Sequence, residues 1–261
     1  MPDLIPLTRT YDSFDEKRRS FGVGASQPYD ICPVGSRFPY TYIDLEIEDG
    51  NSLHFDRISK ETGYANAVYE HDATSSKEFY GARITWNGWG WNLSLPDGRV
   101  YVFPEAYAAK TLAQGAVRKI LTGSNQILVE RDHDGNLIQI VASSGRRIDF
   151  QHDNANRITE AHDGYGSAQK YYYDPDGRLE RLETNGKVMY RFGYDGHLMT
   201  SIRDGSGREL LSNKYTFGRI SEQRLASGKR YHFKYMVDSL NNVVETSVRQ
   251  PDGNIKTFRF P

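Results

Sequence analysis

The side chains able to do chemistry are scattered along this sequence. The seven histidines are His54, His71, His133, His152, His162, His197 and His232. None stands in a His-x-x-x-His or His-Glu-x-x-His pair, the spacing that turns two imidazoles from one helix toward a zinc ion. The single cysteine, Cys32, can form neither an intrachain disulfide nor a multi-cysteine metal site, and reads as a small core residue. No Gly-x-Ser-x-Gly elbow or Walker loop occurs. Gly22-Val23-Gly24 begins like a dinucleotide loop, but it lacks the third glycine and the flanking strand and helix. Asp132-His133-Asp134-Gly135-Asn136 is dense in oxygen ligands, yet it has neither the glycine nor the glutamate that complete an EF-hand loop, and reads as a turn. Trp86, Trp89 and Trp91 form the last candidate group. Exposed indoles stack on sugars, whereas buried ones anchor a sheet face. No catalytic residue, cofactor or metal ligand is assigned.

The chemistry that does recur is structural. Asp132, Asp153, Asp174 and Asp195 lie twenty-one positions apart. Tyr173, Tyr194 and Tyr215 keep the same step, and Tyr235 follows after twenty. Glycines (Gly145, Gly166, Gly186, Gly207, Gly228) and apolar residues (Leu137, Ile158, Leu179, Leu198, Ile220) repeat between them. A fixed short period means stacked units, each too small to bury its own apolar face.

One copy shows what the unit must be. Tyr173-Asp174-Pro175-Asp176-Gly177 is a turn, with Gly177 supplying positive φ. Asn185-Gly186 is a hairpin signal. Val188, Tyr190, Phe192 and Tyr194 alternate along the return segment and share one face. In the preceding copy Asn156 stands where the glycine belongs, and Asn tolerates the left-handed region next best. Each unit is therefore strand, turn, strand, turn, and too short for a crossover helix, so the pairing is antiparallel. The expected fold is all-β, a curved sheet or partial spiral shell of hairpin repeats. Tyr173, Tyr194, Tyr215 and Tyr235 are expected to pack between repeats, with Asp174 and Asp195 at turns and Gly177, Gly196 and Gly218 as turn glycines.

Tyr-Asp-Pro-Asp-Gly-Arg-Leu at 173–179, Tyr-Asp-Gly-His-Leu at 194–198 and the glycines about ten residues later resemble the YD (Rhs) repeat. That family includes bacterial polymorphic toxins, insecticidal toxin complexes and teneurins. The resemblance implies a β-shell around a hollow interior, which in the bacterial toxins holds a C-terminal toxic domain. The stretches Thr8–Ser13 and Phe21–Ser26 resemble the segment ahead of the repeats, although Ala25 stands where the family commonly has tryptophan. The family's self-cleaving core would lie beyond Pro261, and none of its residues is carried over.

The rest of the chain fits this frame. Residues 1–122 are expected to form an N-terminal pre-repeat β region and 123–261 the repeat array. Tyr42–Ile47 and Leu53–Phe55 read as a hairpin around Glu48-Asp49-Gly50-Asn51. Residues 59–76 read as a loop excursion. Trp89, Trp91, Leu93 and Leu95 are expected on one strand face. Residues 105–121 hold the only helix-forming composition, ended by Gly115. Ile255–Phe260 reads as a final strand leaving an open sheet edge that invites another strand.

Composition limits function. The 261 residues carry 33 basic and 34 acidic side chains, so no overall basic excess points to nucleic acid as a partner. No apolar run is long enough for a transmembrane helix, and no signal peptide opens the chain, which reads as cytoplasmic as written or exported within a longer protein. The expected function is non-enzymatic: a shell segment that encloses or presents a toxin or effector domain, in cis or with another YD-repeat chain. The alternative is a carbohydrate or cell-surface binding module, with Trp86, Trp89 and Trp91 as glycan contacts.

Overall fold

A computed structural model describes residues 5–36, 38–48, 50–74 and 76–259. Asp49 of the expected first hairpin, and Phe260 and Pro261 after the final strand, lie outside the described residues. The chain is nearly all-β, with 52% of residues in strands, as period-two alternation between closely spaced turns requires. It divides into two compact units, residues 1–170 and 171–261.

In the first unit, successive strands from Cys32–Gly35 to Ile158–His162 each pair antiparallel with the next. Register carries the core across the sheet. Tyr69 lies opposite Ile84, Ile84 opposite Leu93 and Leu93 opposite Tyr101. The row continues through Ile120 and Ile127 to Ala142. Tyr69, Ile84 and Leu93 are fully buried. Directly opposed apolar side chains pack at close range, and a one-residue slip would turn the whole row to solvent.

The N-terminal segment forms two small ladders, Thr10–Tyr11 with Ala25–Ser26 and Arg18–Arg19 with Gly22–Val23. It sinks Phe21, Tyr29 and Ile31 into the core. Asp15 and Arg19 pair at 2.6 Å with both side chains nearly buried. Burial works against the Arg19 charge, but the Asp15 hydrogen bond and the charges of Asp15, Asp30 and Glu46 hold its pKa above the ordinary value.

Two expectations change here. Residues 59–76 are not all loop: Val68–Glu70 is a strand, and its Tyr69 belongs to the core. The apolar centre at Val68-Tyr69 was too short to show an alternating period. Trp89 does not share the face of Trp91, Leu93 and Leu95. Those three are buried, whereas Trp89 is 88% exposed. The strand starts only at Gly90, because the Asn87 Oδ1 accepts hydrogen bonds from the N–H groups of Trp89 and Gly90, both at 2.9 Å, and turns the chain. Gly90 is required there: a Cβ would meet the Phe103 carbonyl oxygen at 2.1 Å. The helix-forming stretch yields one turn of helix, Leu112–Gly115, closed by a Thr111/Gln114 capping box.

In the second unit, Leu179–Thr184, Lys187–Asp195, Leu198–Asp204, Glu209–Thr216, Arg219–Leu225, Arg230–Val237, Val243–Arg249 and Ile255–Arg259 pair in sequence order, each antiparallel to the next. Neither unit's sheet closes on itself among the described pairings. Along Lys187–Asp195, Val188, Tyr190, Phe192 and Tyr194 are more buried than Lys187, Met189 and Arg191, as the alternation predicts.

Candidate functional site

The repeat is held by two devices. The first is a five-residue turn. In Asp132–Asn136, Asp153–Arg157, Asp174–Arg178, Asp204–Arg208 and Asp238–Asn242, the first residue's N–H donates to the fifth residue's carbonyl, and the fourth residue's N–H to the first residue's carbonyl. The aspartate side chain adds an acceptor for the backbone N–H of the fifth residue, at 2.8 to 3.1 Å. This geometry puts the fourth residue in the left-handed region. Gly177 has φ +84° there, and Asn156 takes the same place at φ +62°.

Asp163 and Asp204 make the same aspartate turn between the members of the sequence series. Sequence reading missed them because both aspartates fall out of step with the twenty-one-residue series. Asp195 and Thr216 instead end two-residue hairpins, with Gly196 (φ +57°) in one and Phe217 and Gly218 (φ +52° and +76°) in the other. A β-bulge accompanies the period, falling between Glu130/Arg131, Gln151/His152, Gly193/Tyr194, Lys214/Tyr215 and Met236/Val237.

In several turns the carboxylate is held below its ordinary pKa. Asp163 is held below its ordinary pKa by the N–H groups of Tyr165 and Ser167, and Asp204 by the Ser206 hydroxyl. Asp238 is held down by the Asn242 side chain and Asp252 by the Asn254 N–H. For Asp153, burial acts upward, but the hydrogen bonds from Arg157 outweigh it. A carboxylate with a depressed folded pKa stabilises the fold above its unfolded pKa of about 3.9, and that contribution disappears as pH falls through the folded value. Urea midpoints are therefore expected to drop as pH falls below about 4, with little change between pH 5 and 7 from these groups. Asp153→Asn keeps the acceptor and should remove its share of the acid slope. An unchanged slope refutes the assignment.

The second device is a tyrosine hydroxyl. Tyr194 donates to the Leu179 carbonyl (2.9 Å), Tyr215 to Met199 (2.7 Å) and Tyr235 to Ile220 (3.0 Å). Tyr235 keeps this bond although its copy's bulge and turn have slipped to Val237-Asp238, which explains its twenty-residue step. Arg178 joins the two devices: its Nε donates to Asp174 Oδ2 at 2.7 Å, and its guanidinium lies 5.0 Å from the Tyr194 ring centre. Tyr194→Phe should lower stability by about 1 kcal/mol in urea unfolding. A loss below about 0.3 kcal/mol would make the ring, not the hydroxyl, the working part.

Tyr173 ends the strand Ala168–Tyr173 and is half-buried. Beside it, Tyr171 is buried, and the Tyr172 hydroxyl donates to Glu183 at 3.0 Å under the Arg181 guanidinium. Trp86 is half-buried and edge-on to Trp91 at 5.2 Å and to Tyr64 at 5.0 Å. The three tryptophans are thus not equivalent: Trp91 is core, Trp86 is packed, and Trp89 stands in solvent.

Where the repeats begin, Arg131 is the residue sequence reading did not single out. Its side chain is 1% exposed. It donates to the carbonyls of Gly135 (2.9 Å), Val117 (3.5 Å) and Tyr29, fastening the N-terminal segment to the first repeat turn. Ile158 N–H donates to the Ser20 carbonyl and Val117 N–H to the Ile31 carbonyl, completing the seam. Burial pushes Arg131 down to about 10, so it stays charged at neutral pH. Among the described residues, no group of three or more His, Cys, Asp or Glu could hold a metal ion, and no helix is long and apolar enough to cross a membrane.

A sheet in which a turn, a β-bulge and a tyrosine hydroxyl bond recur from hairpin to hairpin is built of tandem hairpin repeats. Residues 131–168 match the RHS repeat family, so this part of the chain carries an RHS repeat. Over 143 residues, half of its length, it is 28% identical to the double-stranded DNA deaminase toxin A of Burkholderia cenocepacia (strain H111), and spans 10% of that relative. Among solved structures, TcdB2-TccC3-Cdc42 is similar over 80% of this chain and 15% of its own, at 11% identity and a TM-score of 0.35. TcdB2-TccC3-TEV is similar over 97% and 14%, at 12% identity and a TM-score of 0.27.

Proposed function

We propose that this chain is wall: a non-enzymatic segment of an RHS-repeat shell that keeps a toxic or effector domain apart from its surroundings until delivery, within a longer exported polypeptide. The observation that carries the reading is the repeat itself. Its recurring side chains are spent on turns, bulges and inter-strand bonds, so within each unit the repeats supply a backbone-paired surface rather than a reaction centre. The toxin-named relative, of which the chain spans a tenth, supports a partner domain of that kind.

The test uses the natural polypeptide that contains this sequence. Limited proteolysis should spare the partner domain while the wall is intact, and Gly177→Val should expose it. Equal cleavage of the domain with and without the repeats would overturn containment.

The carbohydrate reading now rests on Trp89, the one fully presented indole of the three. It requires saturable quenching of tryptophan fluorescence by a bacterial wall glycan, lost in Trp89→Ala. Quenching that survives Trp89→Ala excludes this contact.

A further inference from the structure

The near-neutral total charge hides a separation. Residues 1–170 contain 18 Lys/Arg against 23 Asp/Glu, a balance of −5, and residues 171–261 contain 15 against 11, a balance of +4; together they give the chain's −1. On the second unit's sheet, a groove of about 290 Å³ is lined by His232, Lys234, Ser247, Arg249 and Ile255. We propose that this groove binds a tetrahedral oxyanion, phosphate or sulfate, through Lys234, Ser247, Arg249 and His232.

Register brings these groups together. His232 lies opposite Arg249 and Lys234 opposite Ser247 on the neighbouring strands Arg230–Val237 and Val243–Arg249. Opposed residues share a face, so all four project from one side of the sheet. Lys234 and Arg249 are diagonal neighbours, about 7–8 Å apart at the backbone, which two long side chains close around one anion. Lys234 and Arg249 form no ion pair among the described residues and are exposed.

The adjacent acids already hold cations, one of them His232 of the groove itself. Glu222 holds Lys214 at 3.1 Å, with Arg230 and His232 at 3.9 and 3.7 Å. Glu245 holds Arg259 at 2.9 Å. The chemistry matches an oxyanion: a planar guanidinium fork, an ammonium point charge, and a hydroxyl donor whose oxygen lies 3.3 Å from Thr257 Oγ1. The rings of the same strand, Tyr231, Phe233 and Tyr235, occupy the alternate positions and face the other way. The groove therefore has no stacking platform for a neutral sugar or a base. This proposal stands apart from containment.

The test is isothermal titration of the 261-residue chain with inorganic phosphate, a heparin-derived hexasaccharide and polyglutamate. Saturable binding of phosphate alone identifies a free or esterified phosphate as ligand. Tighter binding of the hexasaccharide identifies glycan-borne sulfate. In either case Lys234→Gln/Arg249→Gln should weaken binding at least tenfold, and Arg191→Gln, an exposed cation elsewhere on the sheet, should leave it unchanged. Arg249→Lys, which keeps the charge and loses the fork, should weaken it severalfold and serves as the reading should the double variant fail to fold. Binding of neither anion, equal binding of polyglutamate, or retention of affinity in the Arg249 variants overturns the site.

Discussion

Arg131→Met is expected to destabilise the chain by about 3 kcal/mol or more, because it strips donors from the buried carbonyls of Tyr29, Val117 and Gly135 at about 1–3 kcal/mol per group left unmade. Methionine fills part of the volume and supplies no donor. Arg131→Lys should rescue little, since an ammonium cannot present the fork that spans three carbonyls from separate segments. Urea unfolding measures the loss. Limited proteolysis adds a local reading, with new cleavage expected in residues 18–31 before the sheet opens. A midpoint within about 0.5 kcal/mol of wild type would show that the seam at Val117 and Ile158 suffices without Arg131.

Gly177→Val is expected to cost roughly 2–4 kcal/mol, since a β-branched side chain is forced into φ +84°. The comparison that isolates backbone conformation is Gly177→Asn, expected to cost under about 1 kcal/mol because the Asp153 turn already uses Asn156 at φ +62°. Equal losses for Val and Asn would move the cause from φ to contacts. Unchanged stability in Gly177→Val would remove the glycine from its assigned role.

The repeat was legible because it rests on chemistry local in sequence. A turn aspartate, its left-handed fourth residue and an alternating return strand all fall within one twenty-one-residue unit, so Asp174, Gly177 and the Val188–Tyr194 alternation could be read directly. What could not be read depends on distant partners. Arg131 looks like any strand-end cation until Tyr29 arrives from 102 residues away. Tyr69 belongs to the core only because Ile84 lies opposite. The groove at Lys234 and Arg249 exists only through strand register. Trp89 failed for a local reason: the Asn87 side chain makes the alternation begin one residue later than the aromatic spacing implied.

The tyrosine bonds also carry a direction. Tyr194, Tyr215 and Tyr235 each donate to a carbonyl 15 or 16 residues earlier in the chain. In these three places the later repeat's tyrosine fastens the earlier one. During synthesis, the finished part of the sheet can seal itself hairpin by hairpin while only the newest repeat stays open. Under a pull on the C-terminus, the same order runs backward, with each released tyrosine unlocking the repeat before it. Such an array would assemble and open as a zipper, its fastening built into the order of the sequence.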